Sequence, residues 1–339
     1  MGAERSLRGG VDDLPFPPLP LAHRVGALSG DDPYGQYELI GRRGREDLCA
    51  ALPTDWAWRG KRVLDLGCGA GRTLRHFVPE AAIAEFMGCD IDGESVTWVQ
   101  RHLCPPFVCF ANGDVPPLPL ATESLDLVYA ISVFTHLAAT WSAWLLEVHR
   151  VLRPGGIALL TFMGRGMYEL ISGQALDEDE VGMVVLKIGQ SWDLGGPMVL
   201  HSPWWIREHW GRAFDVLALR PDGFAWQAGL GQGIATLRKR AVSCTSVDLE
   251  RPADDPRELA SLRTNLRLVG EEASQVREAL RLADQQRTDG ARRVAELQRE
   301  RDELLGLRGR LQAIEGSRSW RLTGPLRALR RMVAGRPTG

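Results

Sequence analysis

The chain has 339 residues, 44% of them hydrophobic and 25% charged, with a formal charge of −2. Those values describe an ordinary soluble globular protein with room for one sizeable domain and additional segments. The near-neutral charge argues against a dedicated nucleic-acid binder, whose footprint is strongly basic. The sequence has no secretory apolar core and no apolar run near ~18 residues, and its six cysteines include no C-x-x-C pair. A cytoplasmic location with reduced, buried thiols is therefore expected.

Residues 1–33 are rich in Pro and Gly ("LPFPPLPLA"), and 34–60 begin with a helix over 34–52. From Lys61 short apolar strands alternate with amphipathic helices. "RVLDLG" reads as a strand, "GRTLRHFVPE" as the start of a helix, "AEFMGCDID" as a strand and "ESVTWVQRHL" as a helix. "PFVCFANGD" and "LDLVYAISV" are the third and fourth strands, "TWSAWLLEVHRVL" a helix and "GGIALLTFM" the fifth strand, entered through the turn Arg153–Gly156. This alternation predicts an α/β domain over 61–240, a mostly parallel sheet with helices on both faces. A Gly- and Trp-rich insertion over about 163–210 breaks the pattern before "FDVLALRP" and "GIATLRKR", a hairpin closing the sheet.

Residues 241–256 read as a polar linker. Residues 257–314 lack Pro and carry a 3-4 spacing through Leu262, Leu266, Val269, Ala273, Val276, Leu280 and Ala283, resumed at Val294, Leu297, Leu304 and Leu311. Arg287, Gly290, Arg301 and Arg308 interrupt the seam. The heptads predict a coiled coil of roughly 85 Å and with it a homo-oligomer; a single solvated helix is the alternative. Residues 315–339 form a basic tail.

The stretch "RVLDLGCGAGR" sets Gly67, Gly69 and Gly71 at alternate positions after a strand. A dinucleotide turn, G-x-G-x-x-G, would place its third glycine where Arg72 stands. Asp65 precedes the first glycine by two positions, and Asp90 ends the next strand, where an acidic side chain can accept both hydroxyls of a ribose.

"D-x-G-x-G-x-G", followed in order by "GCDID", "NGDVPPLPLATESLDLVYAISVFTHL" and "EVHRVLRPGGIALLTF", resembles the class I S-adenosylmethionine-dependent methyltransferases over residues 60 to 240. The resemblance implies a Rossmann-like domain with a seven-stranded sheet and S-adenosylmethionine as cofactor. Gly67, Gly69 and Gly71 would let the backbone approach the methionine part without a side chain in the way. Asp65 would face the cofactor amino group, and Asp90 the ribose. Asp114 would accept from the adenine amino group, with Val115 offering backbone contacts; a turn-capping role is the other reading of Asp114. Ala130 would present its carbonyl near the amino-acid end.

Methyl transfer is an in-line attack, for which the protein supplies alignment, a dry pocket and, with a hydroxyl acceptor, a place for the proton. His136 in "SVFTHL" and His201 in "VLHSPWW" are the candidate bases, with packing as the alternative role for His136. No metal-ligand spacing is evident. Trp192, Trp204 and Trp205 could stack on a sugar or planar acceptor, or pack in the core. Tyr34, Tyr37, Arg42 and Arg43 could close over the cofactor as a lid, or lie on an ordinary surface helix.

Residues 316–339 carry six arginines and no acid. Trp320, Leu322, Leu326, Leu329 and Val333 can share one side of a helix opposite Arg327, Arg330 and Arg331, a pattern that suits peripheral contact with an anionic inner-membrane surface or an acidic protein. "SRSWRLTGPLR" resembles tails of bacterial glycosyltransferases and methyltransferases of surface-polysaccharide assembly. The expected reaction is O-methylation of a saccharide hydroxyl. Methylation of a small molecule at oxygen or nitrogen is an alternative, and a coiled-coil scaffold with a cofactor-binding but non-catalytic domain is another.

Overall fold

The computed structural model describes residues 14–24, 31–164, 169, 177, 181–187, 196–224 and 232–334. They fall into two units, Met1–Glu272 and Ala273–Gly339. In the first unit, strands β1 (Arg62–Leu66), β2 (Glu85–Asp90), β3 (Val108–Ala111), β4 (Leu125–Ala130) and β5 (Leu152–Phe162) run parallel. After the short hairpin β6 (Met183–Leu186) and β7 (Met198–His201), β8 (Phe214–Phe224) and β9 (Gln232–Lys239) complete the sheet. Its order is β3-β2-β1-β4-β5-β9-β8, with β9 antiparallel to both neighbours. This is the expected Rossmann-like, mostly parallel seven-stranded sheet.

The central strands are apolar throughout because both faces are covered. Leu64, Val128 and Leu160 point to a layer containing Trp144, Leu145 and Trp210. Their neighbours Val63, Leu127 and Leu159 point to a layer with Phe77, Phe86 and Trp98, as the two-residue period of a strand demands. Helices α1 (Leu19–Arg24), α2 (Pro33–Ala51), α3 (Val78–Ala81), α4 (Gly93–His102), α5 (Trp141–Val151), α6 (Pro203–His209) and α7 (Ser246–Glu250) accompany the sheet.

Three elements differ from expectation. "GRTLRHFVPE" forms a 3-10 turn, Leu74–Phe77, and only four residues of α3. Pro79 lacks the N–H needed to continue the first turn, so a new one starts there. Arg153–Gly156 is no turn before β5 but a bulge within it. The pairing steps from Leu125↔Leu152 to Leu127↔Ile157, and Gly155, at φ +72°, absorbs the bend. Residues 241–256 contain α7, closed by a Thr245–Asp248 capping box, and Leu249 is fully buried. Reciprocal capping makes so short a helix viable.

The N-terminal region is bound to the domain where it is described. Arg75, itself buried, donates to the carbonyls of Leu14 (2.6 Å) and Pro15 (3.1 Å). Arg24 pairs with Asp92 (2.8 Å) and Glu94 (2.7 Å). In α2 Pro33 occupies the first turn and Asp32 caps it, accepting from Gly35 N at 2.8 Å. Gly41 and Gly44 each weaken this helix intrinsically by about 1 kcal/mol. A Cβ on Gly41 would lie 2.1 Å from the Arg72 carbonyl oxygen, so glycine is what lets α2 pack onto the loop after β1.

Helix α8 (Pro256–Gly316) is continuous over 61 residues. Within the first unit its root is fastened to β6 and α6. Ser261 Oγ accepts from Gly182 N at 2.8 Å, Asn265 Nδ2 donates to the Met183 carbonyl, and Glu258 meets His209 Nε2 at 3.1 Å. In the second unit the side chains at the seam positions Val276, Leu280, Val294, Leu297, Leu304 and Leu311 are exposed. Two short helices follow, α9 (Arg318–Leu322) and α10 (Gly324–Ala334).

Candidate active site

The carboxyl ends of β1, β2 and β4 lie side by side, as the pairings Leu66↔Cys89 and Asp65↔Tyr129 show. The strand order reverses between β1 and β4, and open α/β sheets bind ligands at that crevice. The glycine loop leaves β1 there. Gly67, Gly69 and Gly71 have φ of +84°, +50° and +79°, values at which a side chain is strained. The loop is fixed from below, since Gly67 N and Cys68 N both donate to the Cys89 carbonyl at 2.8 and 3.0 Å. It is covered from the side, since a Cβ on Gly67 would sit 2.3 Å from Val133 Cγ2. Glycine at 67 is therefore what lets Val133 close against the loop, as Gly71 does for Leu103.

Asp90 ties this cradle to β2. Its carboxylate accepts from Gly69 N at 2.7 Å and from Asp92 N at 2.8 Å. Burial raises its pKa, while these N–H donors pull it down. Asp65 is wholly buried, and desolvation pushes its pKa up to about 8; the Tyr129 hydroxyl beside it pulls the other way. A cation arriving near Asp65 would draw the carboxyl back to its ionised form. Asp114 and Val115 are exposed past the end of β3. The Asp114 carbonyl accepts from Trp144 Nε1 at 3.1 Å, so backbone rather than carboxylate holds that turn. Ala130 is buried at the end of β4, paired with Leu160.

The expected lid is built differently from its sequence pattern. Tyr37 is fully buried and donates its hydroxyl to the Ala70 carbonyl at 2.9 Å. Tyr34 packs on Phe16, with ring centroids 4.9 Å apart, and Arg42 and Arg43 are exposed. The helix therefore buttresses the glycine loop through Tyr37 and Gly41.

Across the crevice the two candidate bases separate. His136 is half-buried, and its Nδ1 lies 2.9 Å from the Pro197 carbonyl. That contact places the proton on Nδ1 and leaves Nε2 as the acceptor. Burial lowers its pKa, so the imidazole is neutral at pH 7. His201 is 1% exposed, flanked by Trp205 and Trp210 at 5.2 and 5.3 Å, and desolvation draws its pKa down to about 3. Sealed among indoles, His201 has no route to an acceptor proton; it is a core residue. Trp204 and Trp205 are also buried, with the Arg257 guanidinium 4.8 Å above Trp204, so they pack rather than present a stacking face. Trp192 lies outside the described residues.

Residues that no local sequence pattern singles out join His136 at this edge. Ser132 has φ +58°, a strained value for a residue with a Cβ. Its N–H donates to Thr161 Oγ1 at 2.7 Å, its hydroxyl lies 3.2 Å from that of Thr135, and Gln232 Nε2 donates to it at 2.9 Å. Gln232 is buried, and its Oε1 has no hydrogen-bond partner. Beside β6, a separate cleft of ≈ 220 Å³ is lined by Trp141, Met183, Trp205, His209, Glu258 and Leu262.

An open sheet with this order, carrying a glycine cradle at its switch point and an acid at the end of β2, defines the class I methyltransferase architecture. Residues 64–160 match the model of a methyltransferase domain family. Over 102 residues the chain is 36% identical to phthiotriol/phenolphthiotriol dimycocerosates methyltransferase 1 of Mycobacterium ulcerans, covering 30% of this chain and 37% of that protein. It is 33% identical over 102 residues to fatty-acid O-methyltransferase of Mycolicibacterium smegmatis, again 30% and 37% of the two chains. It is 31% identical over 151 residues to malonyl-[acyl-carrier protein] O-methyltransferase of Enterobacter lignolyticus, covering 43% and 55%. The chain thus spans between about a third and about half the length of these curated relatives. S-adenosylmethionine is the cofactor that the sequence resemblance implies for this domain. The positive-φ glycines and the buried Asp65 fit its methionine end, and Asp90, at the end of β2, is placed to accept from a ribose.

Proposed function

We propose that the chain transfers a methyl group from S-adenosylmethionine to a hydroxyl of a saccharide, on a glycan or glycan precursor carried by a lipid. When bound, the cofactor supplies a methyl group on a sulfonium, open to in-line attack. The protein's part is alignment by the glycine cradle, exclusion of water and acceptance of the hydroxyl proton at His136 Nε2.

The observation that carries a hydroxyl acceptor is the His136 imidazole, oriented by the Pro197 carbonyl with Nε2 free to accept. The saccharide is supported by the tail resemblance, and the lipid by the names of the relatives, whose substrates include dimycocerosates and fatty acids. The intact cradle opposes a purely structural scaffold. The similarity to a fatty-acid O-methyltransferase favours a second reading, in which a carboxylate attacks and needs no base.

Purified full-length protein, incubated with methyl-labelled S-adenosylmethionine and either a lipid-linked oligosaccharide, the free oligosaccharide or a fatty acid, tests this. Transfer to the saccharide as an alkali-stable methyl ether is expected. An alkali-labile ester on the fatty acid alone would replace the proposal with the second reading. Cofactor binding by calorimetry without transfer to any acceptor would leave the scaffold.

A further inference from the structure

The second unit ends in a segment that the catalytic reading does not use. Helix α8 stops at Ser317, whose backbone is extended (φ −67°, ψ 148°) and whose side chain caps α9 by accepting from Trp320 N at 3.1 Å. Thr323 ends α9, and Gly324-Pro325 opens α10. Two breaks within eight residues end the heptad register, so this segment does not continue the seam of α8.

Its surface combines exposed apolar and basic groups with no acid between them. Trp320, Leu322 and Leu326 are exposed, Leu322 by 80% and Leu326 by 69%. Arg318, Arg321 and Arg330 are exposed beside them. Arg327 links the two helices. Its guanidinium lies 3.6 Å from the Trp320 ring centroid, donates to Thr323 Oγ1 at 2.6 Å and reaches the Trp320 carbonyl. Residues 316–339 carry +6 in a chain of net −2, leaving −8 on the remainder. Among the described residues no helix is long and apolar enough to cross a membrane.

We propose that α9 and α10 dock on an anionic lipid surface, with Trp320, Leu322 and Leu326 entering the headgroup boundary and the free arginines meeting lipid phosphates. A nucleic acid would use the charge but leave Leu322 and Leu326 exposed. An acidic protein groove is the occupant left if the protein fails to float with anionic vesicles. An interfacial helix needs only one apolar side, a basic opposite side and an aromatic at the boundary. Docking does not depend on which acceptor is methylated.

Full-length protein should float with vesicles of phosphatidylcholine and phosphatidylglycerol, not with phosphatidylcholine alone, and added salt should release it. Arg318→Glu/Arg321→Glu/Arg330→Glu should lower the partition coefficient at least about 100-fold, since each basic group near such a surface contributes about a factor of five. Leu322→Ser/Leu326→Ser, which leaves every charge in place, should lower it at least about tenfold. Circular dichroism and cofactor binding, unchanged in both variants, confirm that the fold is kept. Equal flotation of wild type and the arginine variant would overturn the proposal. So would full retention by the leucine variant, which would show that Leu322 and Leu326 do not enter the headgroup boundary.

Discussion

The two sides of the crevice are built by different means. On the cofactor side, backbone does the work: three glycines with positive φ, two N–H groups on the Cys89 carbonyl and one on Asp90. On the proposed acceptor side, each contact between distant segments uses a side chain: the His136 ring meets the Pro197 carbonyl, and the Thr161 and Gln232 side chains hold Ser132. A backbone cradle binds the feature common to all reactions of such a domain, the donor. A side-chain cluster can be changed one residue at a time, which is what the proposed acceptor side would need.

The comparison can be broken most sharply at His136. His136→Ala should lower kcat by about 10²–10⁴-fold while cofactor affinity, read by calorimetry, changes less than twofold. In the wild type, activity should fall as pH drops through a pKa below the ordinary imidazole value. Burial lowers that pKa, and the neutral ring is the form that accepts the proton. An unchanged rate in the variant would assign the acceptor side to alignment alone.

Gly67→Ala should act on the other side. A Cβ there combines a strained φ with a 2.3 Å approach to Val133 Cγ2, a cost of about 1–3 kcal/mol. It should weaken cofactor binding by up to about 100-fold with the acceptor KM little changed. Normal affinity would mean that the loop yields, and that the cradle is not fixed by backbone.

A smaller effect should come from the root of α8. Glu258→Gln leaves the buried His209 facing an amide instead of a carboxylate and should cost about 1–3 kcal/mol in urea unfolding. Acceptor turnover should suffer more than cofactor affinity, because the contacts of Glu258, Ser261 and Asn265 all lie on the β6, β7 and α6 side. Equal losses in both would show that the two sides of the crevice are not separable.

The same contrast explains what could be read from the sequence. Gly67, Gly69, Gly71 and Asp90 are legible because a positive φ and a strand-end acid leave a local signature of type and spacing. Strands β1 to β5 are legible because both faces are buried and the runs are apolar. Ser132 and Gln232 are 100 positions apart, and neither carries a mark of the other. His201 stands out in the sequence as polar among tryptophans, yet those tryptophans seal it off. Polarity hid α7, although its Thr245-x-x-Asp248 cap is a local signal. Tyr37 and Gly41 serve the loop from α2, one through its hydroxyl and the other through the absence of a side chain.

The fastening at Ser261, Asn265 and Glu258 bears on how such a protein can evolve. The family region ends at residue 160, and the sheet closes at Lys239, yet β6 and α6 still rely on residues beyond both limits. A gene fusion that replaced everything after the sheet would strand Gly182 N, the Met183 carbonyl and His209 without partners. The long helix and the acceptor-side insertion therefore have to be inherited together, whereas the part of α8 past Glu272 is free to lengthen, shorten or change partner.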